Sequence, residues 1–126
     1  METNKISIQD IMALKGKRKI TMLTAYDYPT AQFEERAGID MILVGDSMGN
    51  CVYGYVSGTI PVTMEQCIVH TEAVRRGAPS TFLMGDMPFG SYQTTPEEAV
   101  KNAVRFYKEA GVDSIKLGDS LGMVML

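Results

Sequence analysis

The sequence has no tryptophan, a single histidine and only two cysteines. Cys51 and Cys67 match no metal-ligand spacing. No GxGxxG lies between an expected strand and an expected helix, so the glycines near 45–54 do not make a dinucleotide fingerprint. The first residues, METNKISIQD, lack the apolar stretch of a secretory signal. No apolar run approaches the roughly 18 residues of a membrane span. A net charge of −3 carries no sign of nucleic acid or of an anionic membrane surface as a partner. A cytoplasmic protein with reduced thiols is the expectation.

What is present is the balance of an ordinary globular protein, 45% hydrophobic and 21% charged over 126 residues, enough for one domain or part of one. The ten methionines read as flexible core filler. Ser7 and Asp10 make a capping box for a short helix with Ile8, Ile11, Met12 and Leu14 as its apolar stripe. Gly16 ends it, and KGKRK reads as a solvated turn. ITMLTA (20–25) is a first strand. Asp27, with Pro29 soon after, starts a helix that ends at Gly38. IDMILVG (39–45) is a second strand, followed by a long loop over 46–62. Thr63 and Gln66 cap a helix reaching about Arg76 and closed by Gly77. TFLMG (81–85) is a third strand, ending on Asp86. After a loop over 86–94, Thr95, Pro96 and Glu98 start a helix that runs to about Ala110 and is capped by Gly111. DSIKL (113–117) is a fourth strand.

Strands alternating with helices predict parallel pairing and a sheet covered on both faces. Two α/β architectures fit, a doubly wound sheet and a (βα)8 barrel. A barrel needs roughly 250 residues, so 1–126 would supply about its first four strands, a half barrel preceded by a helix. Both architectures bind ligands at the carboxyl ends of their strands. Asp46, Ser47 and Asp86 fall just past strand ends, and Lys116 lies near the end of the fourth. Neighbouring strands lie about 4.8 Å apart, so two such carboxylates would repel one another. A hard cation relieves that, and Mg²⁺ commonly takes one or two protein carboxylates and completes its shell from water and substrate. The plainer alternative is that each aspartate caps a turn. Ser47 either bonds a bound carboxylate or is a turn serine; Lys116 either points into a pocket or snorkels at an edge. His70, alone on a helix, reads as structural. Met84, Met87 and Phe89 either line a small apolar pocket or fill the core.

Four stretches carry a resemblance: TAYDYPTA (24–31), ILVGDSMG (42–49), TIPVTMEQCIVHTEAVRRGAP (59–79) and GDMPFGSY (85–92). Over about 5–117 the sequence closely resembles the ketopantoate hydroxymethyltransferase (3-methyl-2-oxobutanoate hydroxymethyltransferase) family. The resemblance implies a (βα)8 barrel enzyme of pantothenate biosynthesis and a homo-oligomer. It implies Mg²⁺-dependent transfer of a hydroxymethyl group from 5,10-methylenetetrahydrofolate to 3-methyl-2-oxobutanoate, giving 2-dehydropantoate. On it, Asp46 and Asp86 match metal ligands, while Asp46, Ser47, Asp86 and Lys116 match contacts to the keto acid.

The chain departs from the family after its fourth strand. Gly118 stands where the family has a metal-site Glu, and Asp119 is one residue out of register. Residues 110–122 repeat 37–49 with 8 of 13 positions identical, which makes 118–126 an atypical tail resembling 45–53. An internal repeat, a splice of two copies, a truncation or an engineered chain would each produce it. The family's general base and a substrate-contacting His belong to its second half, so no catalytic residue is assigned and the chain alone is expected to be inactive. Two other readings are a non-catalytic fragment with a structural or interaction role, and another Mg²⁺-dependent barrel enzyme acting on a 2-oxo acid.

Overall fold

The computed structural model describes residues 4–118. Its elements run α1 (Ile8–Ala13), β1 (Met22–Thr24), α2 (Tyr28–Arg36), β2 (Met41–Val44), α3 (Met48–Cys51), α4 (Met64–Gly77), β3 (Phe82–Asp86), α5 (Pro96–Ala110) and β4 (Ser114–Lys116). The expected helix starts are formed as read. Ser7 and Thr63 close two-way capping boxes with Asp10 and Gln66, and the Asp27 and Thr95 side chains cap α2 and α5. Gly111 ends α5 at φ 67°, a left-handed conformation that an L side chain resists.

All four strands are parallel and stand in chain order, β1-β2-β3-β4. This decides between the two architectures. A doubly wound sheet reverses its strand order at a switch point. Here each crossover steps the same way, as in a barrel wall, and α4 packs against both α2 and α5.

The core lies between this helix layer and the two central strands, where Ile42, Val44, Leu83, Val74, Cys67 and Phe106 are almost wholly buried. Burying each large apolar side chain contributes roughly 1.5–3 kcal/mol. Gly85 is needed for that contact, because a β-carbon there would come 2.7 Å from Phe106 Cδ1 of α5.

Three expectations are corrected. β1 is exposed along its length, with Met22 at 50% and Leu23 at 48%, because it is an edge strand of the described sheet. The loop over 46–62 is not structureless: a single helical turn, α3, follows β2 directly. The KGKRK stretch is not wholly solvated, since Arg18 clamps Asp40 with two bonds of 2.8 and 2.6 Å. The methionines divide: Met48 and Met87 are in the core, while Met12 and Met22 are exposed. No helix among the described residues is long and apolar enough to cross a membrane. Of the atypical tail, 119–126 and with it Asp119 lie outside the described residues.

Asp40 supplies a test of the fold. It also accepts from Thr21 N and Thr21 Oγ1, both at 2.9 Å, pinning the entry of β2 to the entry of β1. The Arg18 hydrogen bonds, then those from Thr21, hold its carboxyl well below the usual carboxylate range. The folded state therefore takes up this proton less readily than the unfolded chain. The stabilisation is present above the unfolded value of about 3.9 and is lost as pH falls below it. Asp40→Asn is expected to lower the urea midpoint at neutral pH, and the gap from the parent protein is expected to close as pH falls from about 5 to about 2. An unchanged gap would contradict the assignment.

Candidate active site

The strand register builds the site. Asp86, the last residue of β3, pairs with Lys116, the last of β4, so their side chains leave the sheet on the same side. Lys116 Nζ donates to Asp86 Oδ1 at 2.9 Å. Val44 pairs with Gly85, which brings the residues after β2 to the level of Asp86. The backbone N–H of Asp46 donates to Asp86 Oδ2 at 3.0 Å. Asp86 is thus held on both oxygens, by an ammonium from one neighbouring strand and an amide just past the end of the other, and is 3% exposed.

Asp46 meets Asp86 carboxyl to carboxyl. Burial, then the Asp86 charge and the hydrogen bond between the two carboxyls, push Asp46 above its ordinary value; Lys116 and a hydrogen bond from Thr59 pull the other way. A half-buried acid set against a buried one, with a single ammonium between them, makes a site where a further cation is welcome.

The acids open into a cavity of about 310 Å³, lined also by Thr59, Ile60, Phe89, Tyr92 and Gly118. That is the lower end of the range for small-ligand sites. Ile60 and Phe89 are shared with an adjoining cleft of about 530 Å³ between the α4 entry and α5. The Tyr92 hydroxyl accepts from the Gly118 N–H at 3.1 Å, and a β-carbon on Gly118 would stand 3.6 Å from Lys116 Nζ. Gly118 therefore sits at the cavity wall but brings no carboxylate. Among the described residues no third His, Cys, Asp or Glu joins the two aspartates.

Asp46, Asp86 and Lys116 are thus brought together, and Lys116 points into the cavity rather than away at an edge. Ser47 stands at the margin. Its Oγ bonds the Tyr26 hydroxyl at 2.7 Å and is not part of the cavity wall. It still faces the strand end, because a β-carbon on Gly45 would lie 2.7 Å from Ser47 Oγ and 3.8 Å from Asp86 Oδ2. Met87 and Phe89 line the cavity, whereas Met84 does not. His70 has both ring nitrogens engaged, with the Tyr26 carbonyl at 2.6 Å and the Tyr53 hydroxyl at 2.8 Å. Sequence reasoning assigned nothing to Tyr26, Thr59 or Tyr92. The signal available was that all three fall inside the stretches of strongest family likeness.

The fold has close solved counterparts in shape. The trigonal crystal form of 2,3-dimethylmalate lyase, a PEP mutase/isocitrate lyase superfamily member, overlays with a TM-score of 0.64 at 18% identity, over 92% of this chain and 39% of that one. The triclinic form gives 0.62 at 19% identity, over 82% and 35%. Identity so low speaks to fold alone, and fold and site together define half of a (βα)8 barrel with an acidic pocket at its strand ends.

Sequence comparison is more particular. The chain belongs to the family described as ketopantoate hydroxymethyltransferase, whose sequence model matches residues 5–126. Relatives named 3-methyl-2-oxobutanoate hydroxymethyltransferase are 63% identical over 114 residues in Alkaliphilus metalliredigens, 57% over 112 in Thermosipho melanesiensis and 51% over 122 in Thermotoga neapolitana. These matches cover 90%, 89% and 95% of this chain and 40%, 42% and 44% of the relatives. The chain therefore spans about two fifths of the length of the curated relatives it matches. The family is one of enzymes.

The two thiols report on this site. Cys67, buried in α4 behind the acids, is pushed up to about 12 by burial and then by the Asp86 and Asp46 charges. Cys51 is exposed. A disulfide reagent near pH 8 is expected to label only Cys51 in the folded protein and both thiols in denaturant, because attack needs the thiolate. Rapid native labelling of Cys67 would contradict the buried, acid-flanked placement.

Proposed function

We propose that this chain carries the keto-acid and divalent-metal part of a hydroxymethyl-transfer site. In the reaction, 3-methyl-2-oxobutanoate gains a hydroxymethyl group from 5,10-methylenetetrahydrofolate to give 2-dehydropantoate. The observation that carries the reading is the pair Asp46 and Asp86, face to face at adjoining strand ends beside Lys116. Family membership supplies the choice among 2-oxo acids.

The donor set fits Mg²⁺. Two carboxylates suffice for that ion, the rest of its shell coming from water and substrate oxygens. Asp46 and Asp86 would hold it, and it would supply Lewis acidity toward the oxygens of a 2-oxo acid. Lys116 offsets the substrate's negative charge while keeping Asp86 oriented. Ser47, at the margin, donates to the substrate carboxylate and sets its angle. Removal of the C3 proton leaves an enolate whose carbon attacks the one-carbon unit. A C–H bond and the two C–N bonds that held that carbon in the folate break, and a C–C bond and a C–O bond to water's oxygen form. Tetrahydrofolate leaves with the C3 proton and one proton of water on its two nitrogens. The acids lining the cavity among the described residues are Asp46 and Asp86. Both are committed to binding, so the base for that proton comes from outside the described residues. The adjoining cleft, which shares Ile60 and Phe89 as lining, gives the larger folate its room. The whole enzyme is, on the resemblance, a homo-oligomer; we read it as cytoplasmic with reduced thiols, and this chain alone as inactive.

Calorimetry of the intact chain tests the binding half. Mg²⁺ and 3-methyl-2-oxobutanoate are expected to bind with positive coupling. Asp46→Asn and Asp86→Asn are each expected to weaken this by about tenfold or more, as loss of a charged ligand contact costs roughly 1.5–3 kcal/mol. Gly118→Glu, which restores the acid the resemblance places there, is expected to tighten Mg²⁺ binding. A well-folded sample that takes up neither ligand would refute the assignment.

A further inference from the structure

The single histidine and the tyrosines around it play no part in the reading above, yet they lead to Ser47. Ser47 is the N-cap of α3, a position where serine ordinarily turns its hydroxyl back onto a helix amide. Here it makes no such bond. Its Oγ is instead drawn 2.7 Å from the Tyr26 hydroxyl, into space left by the missing side chain of Gly45. Tyr26 follows β1 and is itself tied down. Its carbonyl meets His70 Nδ1 of α4 at 2.6 Å, and His70 Nε2 meets the Tyr53 hydroxyl at 2.8 Å. Tyr53 stacks on Tyr55 at 5.4 Å, and Tyr55 accepts from Gln66 of α4 at 2.8 Å.

We propose that Tyr26, locked by His70 and Tyr53, is a positioning residue that aims the Ser47 hydroxyl at the bound keto acid. This rests on the keto-acid reading of the site. The proton bookkeeping gives the chain a direction. A carbonyl only accepts, so His70 carries a proton on Nδ1, and the neutral ring then accepts at Nε2 from the Tyr53 hydroxyl. A substrate carboxylate also only accepts, so Ser47 must donate to it. Tyr26 must then donate to Ser47, which holds the serine proton outward at no reorganisation cost when the ligand arrives. Without the phenol, the serine is free to turn back to its ordinary capping bond. His70 acts two bonds removed, by fixing the Tyr26 backbone from which the phenol projects.

The experiment has two arms on the intact chain. In the first, the nitrogen shifts of the one imidazole are read by NMR with ¹⁵N-labelled histidine. Protonation at Nδ1 is expected, and protonation at Nε2 overturns the inference whatever the affinities. In the second, the Kd for 3-methyl-2-oxobutanoate is measured in saturating Mg²⁺ on variants shown by circular dichroism to be folded. Tyr26→Phe and His70→Ala are each expected to weaken binding about fivefold to tenfold, the scale of one lost hydrogen bond. His70→Asn, whose amide nitrogen takes the place of Nδ1, is expected to return to within about twofold of the parent protein. A merely structural histidine would change stability and leave Kd alone. Binding by the parent protein with Kd unmoved in Tyr26→Phe and His70→Ala overturns this inference and leaves the keto-acid reading standing. No binding by the parent protein overturns both.

Discussion

A buried carboxylate, Asp86, and a half-buried one, Asp46, held a strand apart are the constraint on which this structure turns. Left alone they would repel across roughly one strand spacing in a medium poorer than water at screening charge. The fold answers with position. The parallel register puts Lys116 beside Asp86. The chain leaving β2 turns the Asp46 amide onto the other Asp86 oxygen. What remains unbalanced is Asp46, whose proton affinity is raised by burial and by its neighbour. A site left one positive charge short is costly for a fold and useful for a metal-assisted reaction on an anionic substrate.

The rest of the molecule brings those strand ends to one level. Gly85 lets Phe106 seat α5 directly against β3, which sets the height at which Asp86 emerges. At the opposite end of the strands, Arg75 of α4 reaches Asp113 at 2.6 Å and the carbonyls of Ala78, Pro79, Thr81 and Gly111. Asp113 in turn accepts the Leu83 amide at 2.9 Å. A half-buried guanidinium with all these partners fixes where β3 and β4 begin. Strand starts fixed by Arg75 and Asp40, and strand ends carrying the acids, are two sides of one arrangement.

Much of this was legible in the sequence because it depends on local rules. Capping residues at Ser7, Asp27, Thr63 and Thr95 and the stop at Gly111 mark the helices, and short apolar runs between them mark the strands. Strand-end acids are visible once the alternation is seen. The alternation of elements left barrel and doubly wound sheet level, because strand order is a tertiary property, and the family resemblance alone pointed to the barrel. The clamp of Arg18 on Asp40 was missed because 22 positions separate them. The exposure of β1 was missed because its apolar run cannot show which strands flank it. Ser47 was read as a ligand contact or a turn residue. Its bond to Tyr26 depends on β1 lying beside β2, which no spacing rule encodes.

On the reading proposed above, Asp46 and Asp86 converge on one divalent ion. That convergence is tested most directly by substituting paramagnetic Mn²⁺ for Mg²⁺ in a ¹⁵N-labelled sample and mapping which amide signals broaden. Selective loss is expected around Gly45, Asp46, Asp86, Met87 and Lys116, reversed by excess Mg²⁺. Broadening spread over the surface acids, or centred anywhere away from those strand ends, would contradict it.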